Sequence, residues 1–190
     1  MRQSSPDRAS APPPMSTSIL TIGHSNHTWE SFVSLLKAQE VEVLVDIRTE
    51  PVSKHAPFAS SRTLPRLLEL EGMRYLFLGD SLGGKPADRS CYDHRGKPDY
   101  PKIRSKGFFK AGMEQLIRLA AEARVAIMCA EEDPGKCHRW LLLGPALEQG
   151  DVAMHHLRGD GAMQDSRELR SKPAYRRQLQ GTLPLLDQAE

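Results

Sequence analysis

The sequence has few cysteines, little net charge and no long apolar run. Its three cysteines, Cys91, Cys129 and Cys137, are too few and too irregularly spaced for a disulfide framework, which favours a reducing compartment. No apolar run approaches the length of a membrane span, and the first residues lack the apolar segment of a signal peptide. We therefore expect a cytoplasmic protein with no membrane partner, and residues 1–17 as a disordered leader.

The charge balance excludes strong nonspecific attraction to nucleic acid by the whole molecule. Lys and Arg number 26 against 24 Asp and Glu, which gives a formal net charge of +2. A nucleic-acid partner would therefore have to bind a local patch. A chain of 190 residues can bury one good core, which argues for a single domain with tails.

Hydrophobic patterning predicts alternating strands and helices. Apolar runs predict strands at residues 18–22, 41–47, 74–78, 124–129 and 152–157. Helical spacing of apolar residues predicts helices around Phe32, Leu67, Leu116 and Trp140. This order predicts a single three-layer α/β/α domain over residues 18–157, with a mostly parallel, Rossmann-like sheet.

Three segments interrupt or extend this pattern. Gly144 and Pro145 lie inside the last helix, where proline removes an amide donor, so we expect a kink or a break there. Between residues 79 and 106 the periodicity gives way to Gly, Pro and charges, which is typical of a lid or binding loop. Residues 158–190 are polar, with a weak helical signal, and are expected to form a C-terminal tail.

The stretch that follows the fourth strand is the richest in chemically active side chains. They are Cys129, Glu131, Cys137, His138 and Arg139. Because the carboxyl ends of parallel strands open on the same edge of a sheet, these side chains are expected to converge with His24, Asp46 and Arg48, which follow the first two strands. The sequence thus predicts one site at that edge.

Four separated motifs stand out along the chain. They are Gly23-His24-Ser25, Val45-Asp46-Ile47-Arg48 with Pro51, Leu82-Gly83-Gly84, and Cys129-Ala130-Glu131 with Cys137-His138-Arg139. Together they resemble the signature of the DUF488 family, a bacterial and archaeal group named for its unknown function. The resemblance covers about residues 18 to 157, and it implies a fold and a set of positions more than a reaction.

Two arginines and two thiols are the candidate binding and nucleophilic groups. Cys137, in the first turn of a helix beside His138 and Arg139, is expected to favour the nucleophilic thiolate. Arg48 and Arg139 suit a phosphate or a carboxylate, or each instead ties strand ends together by pairing with a carboxylate. Cys129, at the end of a buried strand, is either inert core or part of the substrate-binding surface.

The remaining candidates are acid–base groups and glycines. His24 suits general acid or base catalysis because its ordinary pKa of about 6.5 lies near neutral pH, or it bonds to loop backbone. Asp46 and Glu131 are candidate orienting or acid–base carboxylates. Gly83 and Gly84 are candidate substrate-binding positions, although their spacing suits a turn better than a phosphate loop.

No cofactor and no metal ion are expected. Soft ligands are available in Cys129, Cys137, His138 and His24. The two cysteines are farther apart than those of common zinc sites, however, and adjacent residues such as Cys137 and His138 rarely bind one ion together.

The favoured hypothesis is an enzyme that acts on an anionic small molecule or nucleotide-like group. The two arginines would bind the anion, the carboxylates and His24 would act as acid–base groups, and Cys137 would be a nucleophile. One alternative is a nucleic-acid-binding or nucleic-acid-processing protein, since residues 80–106 hold seven Lys or Arg against four Asp, together with two tyrosines. Another is a ligand sensor with the same pocket and no turnover.

Overall fold

A six-stranded sheet forms the centre of the fold in a computed structural model, which describes residues 17–179. The strands are β1 (Ser18–Gly23), β2 (Val43–Asp46), β3 (Arg74–Phe77), β4 (Val125–Cys129), β5 (Ala153–Leu157) and β6 (Met163–Asp165). Their order is β3-β2-β4-β1-β5-β6, and every neighbouring pair is parallel except β5 with β6. The predicted mostly parallel sheet is confirmed. Residues 1–16 of the expected leader and 180–190 of the expected tail lie outside the described residues.

Helices pack on both faces of the sheet. They are α1 (Trp29–Ala38), α2 (Leu64–Leu70), α3 (Gly79–Leu82), α4 (Tyr100–Ser105), α5 (Gly107–Glu122), α6 (His138–Leu141), α7 (Leu143–Gln149) and α8 (Pro173–Leu179). Short 3-10 helices lie at Pro57–Ala59, Arg89–Cys91, Pro134–Lys136 and Ser166–Leu169. Within residues 17–179, no helix has the length and apolar character needed to cross a membrane.

Alternation along the strands produces two separate cores. Val43 and Val45 point to one face and join the cluster that contains Leu116 of α5. Leu44 points to the other face and packs with Phe32 of α1 and with residues of α2. The single α/β domain with three layers, predicted from the order of elements, is confirmed.

The helix after β4 is broken near its proline, as the sequence predicts. The break lies at Leu142, where α6 ends and α7 begins. Pro145 has no N–H to donate to the Leu141 carbonyl. That carbonyl instead accepts a hydrogen bond from Arg104 Nη1 at 3.5 Å.

Residues 158–179 pack onto the domain and extend its sheet. β6 pairs with β5, and Tyr175 of α8 is buried against Trp140, with the two rings stacked 4.3 Å apart. The Tyr175 hydroxyl also donates to a Glu148 carboxylate oxygen at 2.6 Å. The polar pattern of this segment gave no indication of a strand, because β6 is short and lies at the edge of the sheet.

The segment 79–106 is built of short helices that pack on the core. It contains α3, the 3-10 helix Arg89–Cys91 and α4. Leu82, Cys91 and Ile103 are buried in the same cluster as the strand residues. One side of the segment therefore supports the core, and the other is free to border a site.

Candidate functional site

The carboxyl ends of β1, β2 and β4 meet at one edge of the sheet. The His24 amide donates to the Cys129 carbonyl at 2.9 Å, and the Ile47 amide donates to the Met128 carbonyl at 3.2 Å. The backbone segments after these strands thus stay bonded to one another beyond the strands themselves. This edge is where open parallel sheets place their ligands.

A buried ion pair joins the residues that follow β2. Arg48 donates to Asp46 from Nε at 2.9 Å and from Nη2 at 2.6 Å, and both side chains are buried. Arg48 Nη2 also donates to the Ala59 carbonyl, and the Tyr75 hydroxyl donates to Asp46 Oδ2 at 3.0 Å. Asp46, predicted to be catalytic, is therefore occupied as the partner of Arg48.

His24 is a neutral imidazole that supports this pair. Its Nε2 lies 3.0 Å from Arg48 Nη1, and because a guanidinium only donates, Nε2 must accept. The ring proton is then on Nδ1, which donates to the Ser25 carbonyl at 2.9 Å. Burial, together with the Arg48 cation, lowers the pKa of His24 to about 4. His24 thus holds Arg48 in place at neutral pH.

A cavity of about 460 Å³ opens outside this edge, a size typical of small-molecule sites. Among the predicted site residues, its lining includes Arg48, Gly84, Cys129, Glu131, Cys137 and His138. The predicted residues outside the lining are His24, Asp46, Gly83 and Arg139. Two further cavities lie beside β5 and β6, and their linings contain no cysteine.

Two thiols and an imidazole form a cluster in the wall of this cavity. His138 Nδ1 lies 3.4 Å from Cys129 Sγ and 3.9 Å from Cys137 Sγ. His138 Nε2 lies 3.0 Å from the Ile47 carbonyl, which only accepts, so Nε2 carries the ring proton. In the neutral imidazole, the lone pair of Nδ1 therefore faces the two sulfur atoms.

The two thiols differ in acidity, and in the opposite order to the one expected. The hydrogen bond with the Cys137 thiol, together with the Arg139 cation, lowers the pKa of Cys129 despite its burial. Burial raises the pKa of Cys137 well above that of a free thiol. The sequence suggested that a helix dipole would favour the Cys137 thiolate, but α6 has only four residues and the thiol is buried.

Arg139 binds the protein backbone and does not border the cavity. Its guanidinium is buried and donates from Nη1 to the Glu131 carbonyl and from Nη2 to the Glu132 carbonyl, the latter at 2.7 Å. The loop after β4 is thereby tied to α6. The expected pairing with an anion or a side-chain carboxylate is replaced by a pairing with carbonyl groups.

Close packing explains the two glycines after α3. A Cβ atom on Gly83 would lie 2.3 Å from the Gly79 carbonyl oxygen, and one on Gly84 would lie 2.9 Å from His138 Cγ. Gly84 lets the chain pass directly against the imidazole. These positions therefore shape the cavity wall, as a turn does, and Gly84 alone of the two borders the cavity.

Sequence reasoning did not select two lysines that border the cavity. Lys85 and Lys136 are exposed and form no ion pair with any residue of the described chain. Each adjoins a motif residue, Gly84 or Cys137, and that adjacency was the available signal. Tyr100 also lines the cavity, and burial raises its pKa to about 12.

Comparison with known families shows what this chain is similar to. The model of a domain of unknown function, DUF488, matches residues 28–144, which is more than half of the chain. The match includes the motifs around Asp46, Gly83 and Cys129, while Gly23-His24-Ser25 lies just before it. No curated protein and no solved structure matched the chain.

Replacing Arg139 by lysine tests its role as a structural group. Lys cannot reproduce the planar fork that serves two carbonyls, so we expect Arg139→Lys to lower the free energy of unfolding by about 1–3 kcal/mol. The loss should be the same with and without phosphate in a chemical denaturation series. Arg118→Lys, an exposed position on α5, is the control and should change stability by less than about 0.5 kcal/mol. Unchanged stability combined with weaker phosphate binding would make Arg139 a ligand-binding residue instead.

The acidity order predicts which thiol reacts first. With a chelator present, iodoacetamide should modify Cys129 before Cys137, with a pH midpoint below that of an ordinary cysteine. Cys137→Ala removes the donor to Cys129 and should slow its alkylation, whereas Cys137→Ser keeps a donor and should slow it less. Peptide mass spectrometry measures both rates. Earlier labelling of Cys137 would contradict the assignment.

Proposed function

This chain belongs to the DUF488 family, whose domain has no assigned function, and from its site we propose an enzyme that acts on an anionic small molecule at the carboxyl edge of the sheet. One observation carries the proposal: the cluster of Cys129, Cys137 and His138 opens into a cavity whose rim carries two lysines, Lys85 and Lys136. Reactive groups and a charged binding surface therefore share one concave site, the combination that a catalytic pocket requires.

The charges at the rim favour an anion. Lys85 and Lys136 border the cavity from two segments that are distant in sequence. Lys85 belongs to the segment after α3, and Lys136 belongs to the turn before α6. Their ammonium groups are unpaired within residues 17–179, so they are available to a phosphate or carboxylate group. Arg48 adds a third positive charge, although Asp46 balances it.

The reactive groups suit nucleophilic or acid–base chemistry on such an anion. Cys129 is the better candidate nucleophile, because its pKa is lowered whereas that of Cys137 is raised. Glu131 is exposed at the same rim, where its carboxylate forms no ion pair with the described residues, so it is available for proton transfer. In this proposal His24 and Asp46 are positioning residues that act through Arg48.

Contacts within the segment 79–106 favour a small anion over a nucleic acid. Lys102 pairs with Asp99 at 3.3 Å, and Lys106 pairs with Asp88 at 3.1 Å. The Tyr92 hydroxyl donates to a backbone carbonyl in the same segment. Two of the seven cations that suggested a nucleic-acid partner are therefore balanced within the segment, and one of its two tyrosines is bonded to backbone.

The lysines provide the test of anion binding. Lys85→Ala and Lys136→Ala should each raise the Kd for inorganic phosphate about 5- to 10-fold, which corresponds to roughly 1 kcal/mol for one charged contact. Lys110→Ala, which removes an exposed charge on α5, is the matched control and should leave the Kd unchanged. Isothermal titration calorimetry at fixed ionic strength measures the three values.

Three outcomes would contradict the proposal. Equal weakening by all three substitutions would mean that phosphate responds to net charge and not to the cavity. Tighter binding of a single-stranded oligonucleotide than of phosphate, with a steep dependence on salt, would support the nucleic-acid alternative. Binding of anions without turnover of any compound in a substrate panel would mean that the protein is a ligand sensor and not an enzyme.

A further inference from the structure

We propose that Cys129, Cys137 and His138 bind one zinc ion, with a fourth coordination position open to the cavity. The donor set of two thiolates and one imidazole suits zinc and other soft divalent ions better than magnesium or calcium. The ion itself is inferred from geometry alone. Only the identity of the substrate on which the ion would act rests on the proposed function.

The two nitrogen–sulfur separations of the cluster are close to those that a zinc ion requires. A tetrahedral zinc ion with Zn–S bonds of about 2.3 Å and a Zn–N bond of about 2.0 Å places sulfur and nitrogen about 3.5 Å apart. His138 Nδ1 lies 3.4 Å from Cys129 Sγ and 3.9 Å from Cys137 Sγ, and all three donors lie within 4.8 Å of one another. Small side-chain adjustments would therefore complete the coordination.

A hydrogen bond to the second ring nitrogen orients the His138 imidazole, as is usual for metal-binding histidines. Its Nε2–H donates to the Ile47 carbonyl at 3.0 Å, which fixes the tautomer and turns the Nδ1 lone pair toward both sulfurs. Gly84 backs the ring closely enough that a Cβ atom would lie 2.9 Å from it. The ring is thus held on two sides in the orientation that an ion needs.

The backbone at the start of α6 explains how two adjacent residues can serve one ion. Cys137 is the extended N-cap residue, and His138 is the first residue of the helix. This change of backbone direction brings both side chains to the same side, while Cys129 approaches from the neighbouring strand. The Arg139 amide lies 3.5 Å from Cys137 Sγ and donates to it, a contact that suits a ligating thiolate. The spacing of the cysteines along the sequence argued against a metal, because spacing does not show that the three side chains converge in the fold.

Three protein ligands leave one position for water or substrate. No fourth His, Cys, Asp or Glu joins the cluster within residues 17–179, and the cluster borders the cavity that Lys85 and Lys136 also line. Zinc sites with three protein ligands and an open position are typical of catalytic centres. An ion there would polarise an oxygen of the anionic substrate or activate a bound water.

Metal titration of the reduced, chelator-stripped full chain tests the site. We expect one Zn²⁺ per chain, with up to two protons released as the thiols become ligands, and a Co²⁺ derivative with a thiolate charge-transfer band and tetrahedral visible absorption. Cys129→Ser, Cys137→Ser and His138→Asn should each weaken Zn²⁺ binding at least about 100-fold against a competing chromophoric chelator. Cys91→Ala and His94→Asn are the matched controls and should keep the wild-type affinity, since neither residue belongs to the cluster.

The outcomes separate this inference from the proposed function. Absence of Zn²⁺ and Co²⁺ binding at micromolar free ion would overturn it, and so would affinity that survives loss of both Cys129 and Cys137. The Co²⁺ spectrum of the wild-type protein tests the inference even if a variant folds poorly. Octahedral absorption without a charge-transfer band would exclude thiolate ligands and overturn the inference. Phosphate binding by the zinc-free protein, with its dependence on Lys85 and Lys136, tests the proposed function independently.

Discussion

The buried ion pair between Asp46 and Arg48 is the interaction on which the candidate site depends. Two opposite charges removed from water are tolerated only when their remaining hydrogen-bonding capacity is met, and here residues from three other segments of the chain meet it. His24 follows β1, Tyr75 belongs to β3, and Ala59 comes from the connection to α2. The pair therefore links β2 to β3 and to the end of β1.

The same pair also positions the reactive cluster. Ile47 lies between the two charged residues, and its carbonyl accepts the proton of His138 Nε2. Since Asp46 and Arg48 fix the backbone on both sides of Ile47, they also fix the direction of the imidazole toward Cys129 and Cys137. The ion pair thus determines which nitrogen of His138 faces the sulfurs. On the other side of the cluster, Arg139 restrains the loop after β4 through two backbone carbonyls.

Much of this edge could be predicted from the sequence, because parallel topology brings strand ends together whatever the side chains do. The positions of His24, Asp46 and Cys129 follow from that rule and from the apolar runs that precede them. The partners of the side chains could not be predicted, because periodicity carries no information on side-chain direction. Arg139 pairs with carbonyls, and Cys129 rather than Cys137 is the more acidic thiol, for reasons of burial and local geometry.

The C-terminal part of the fold shows a similar limit. Tyr175 is an isolated aromatic residue in a polar stretch, so no hydrophobic repeat indicated that it would stack on Trp140. β6 has three residues and pairs on one side only, which is too short for an alternating pattern to be recognised. Both elements are held by tertiary contacts more than by local preference.

The central claim is that an anion binds in the same cavity as the reactive thiol. It is tested most directly by the rate of Cys129 alkylation, followed by peptide mass spectrometry with a chelator present, as inorganic phosphate is increased at constant ionic strength. The account predicts a saturable decrease in that rate, with a midpoint equal to the Kd measured by calorimetry. A rate that stays constant while phosphate saturates its binding site would place the anion elsewhere and contradict the claim.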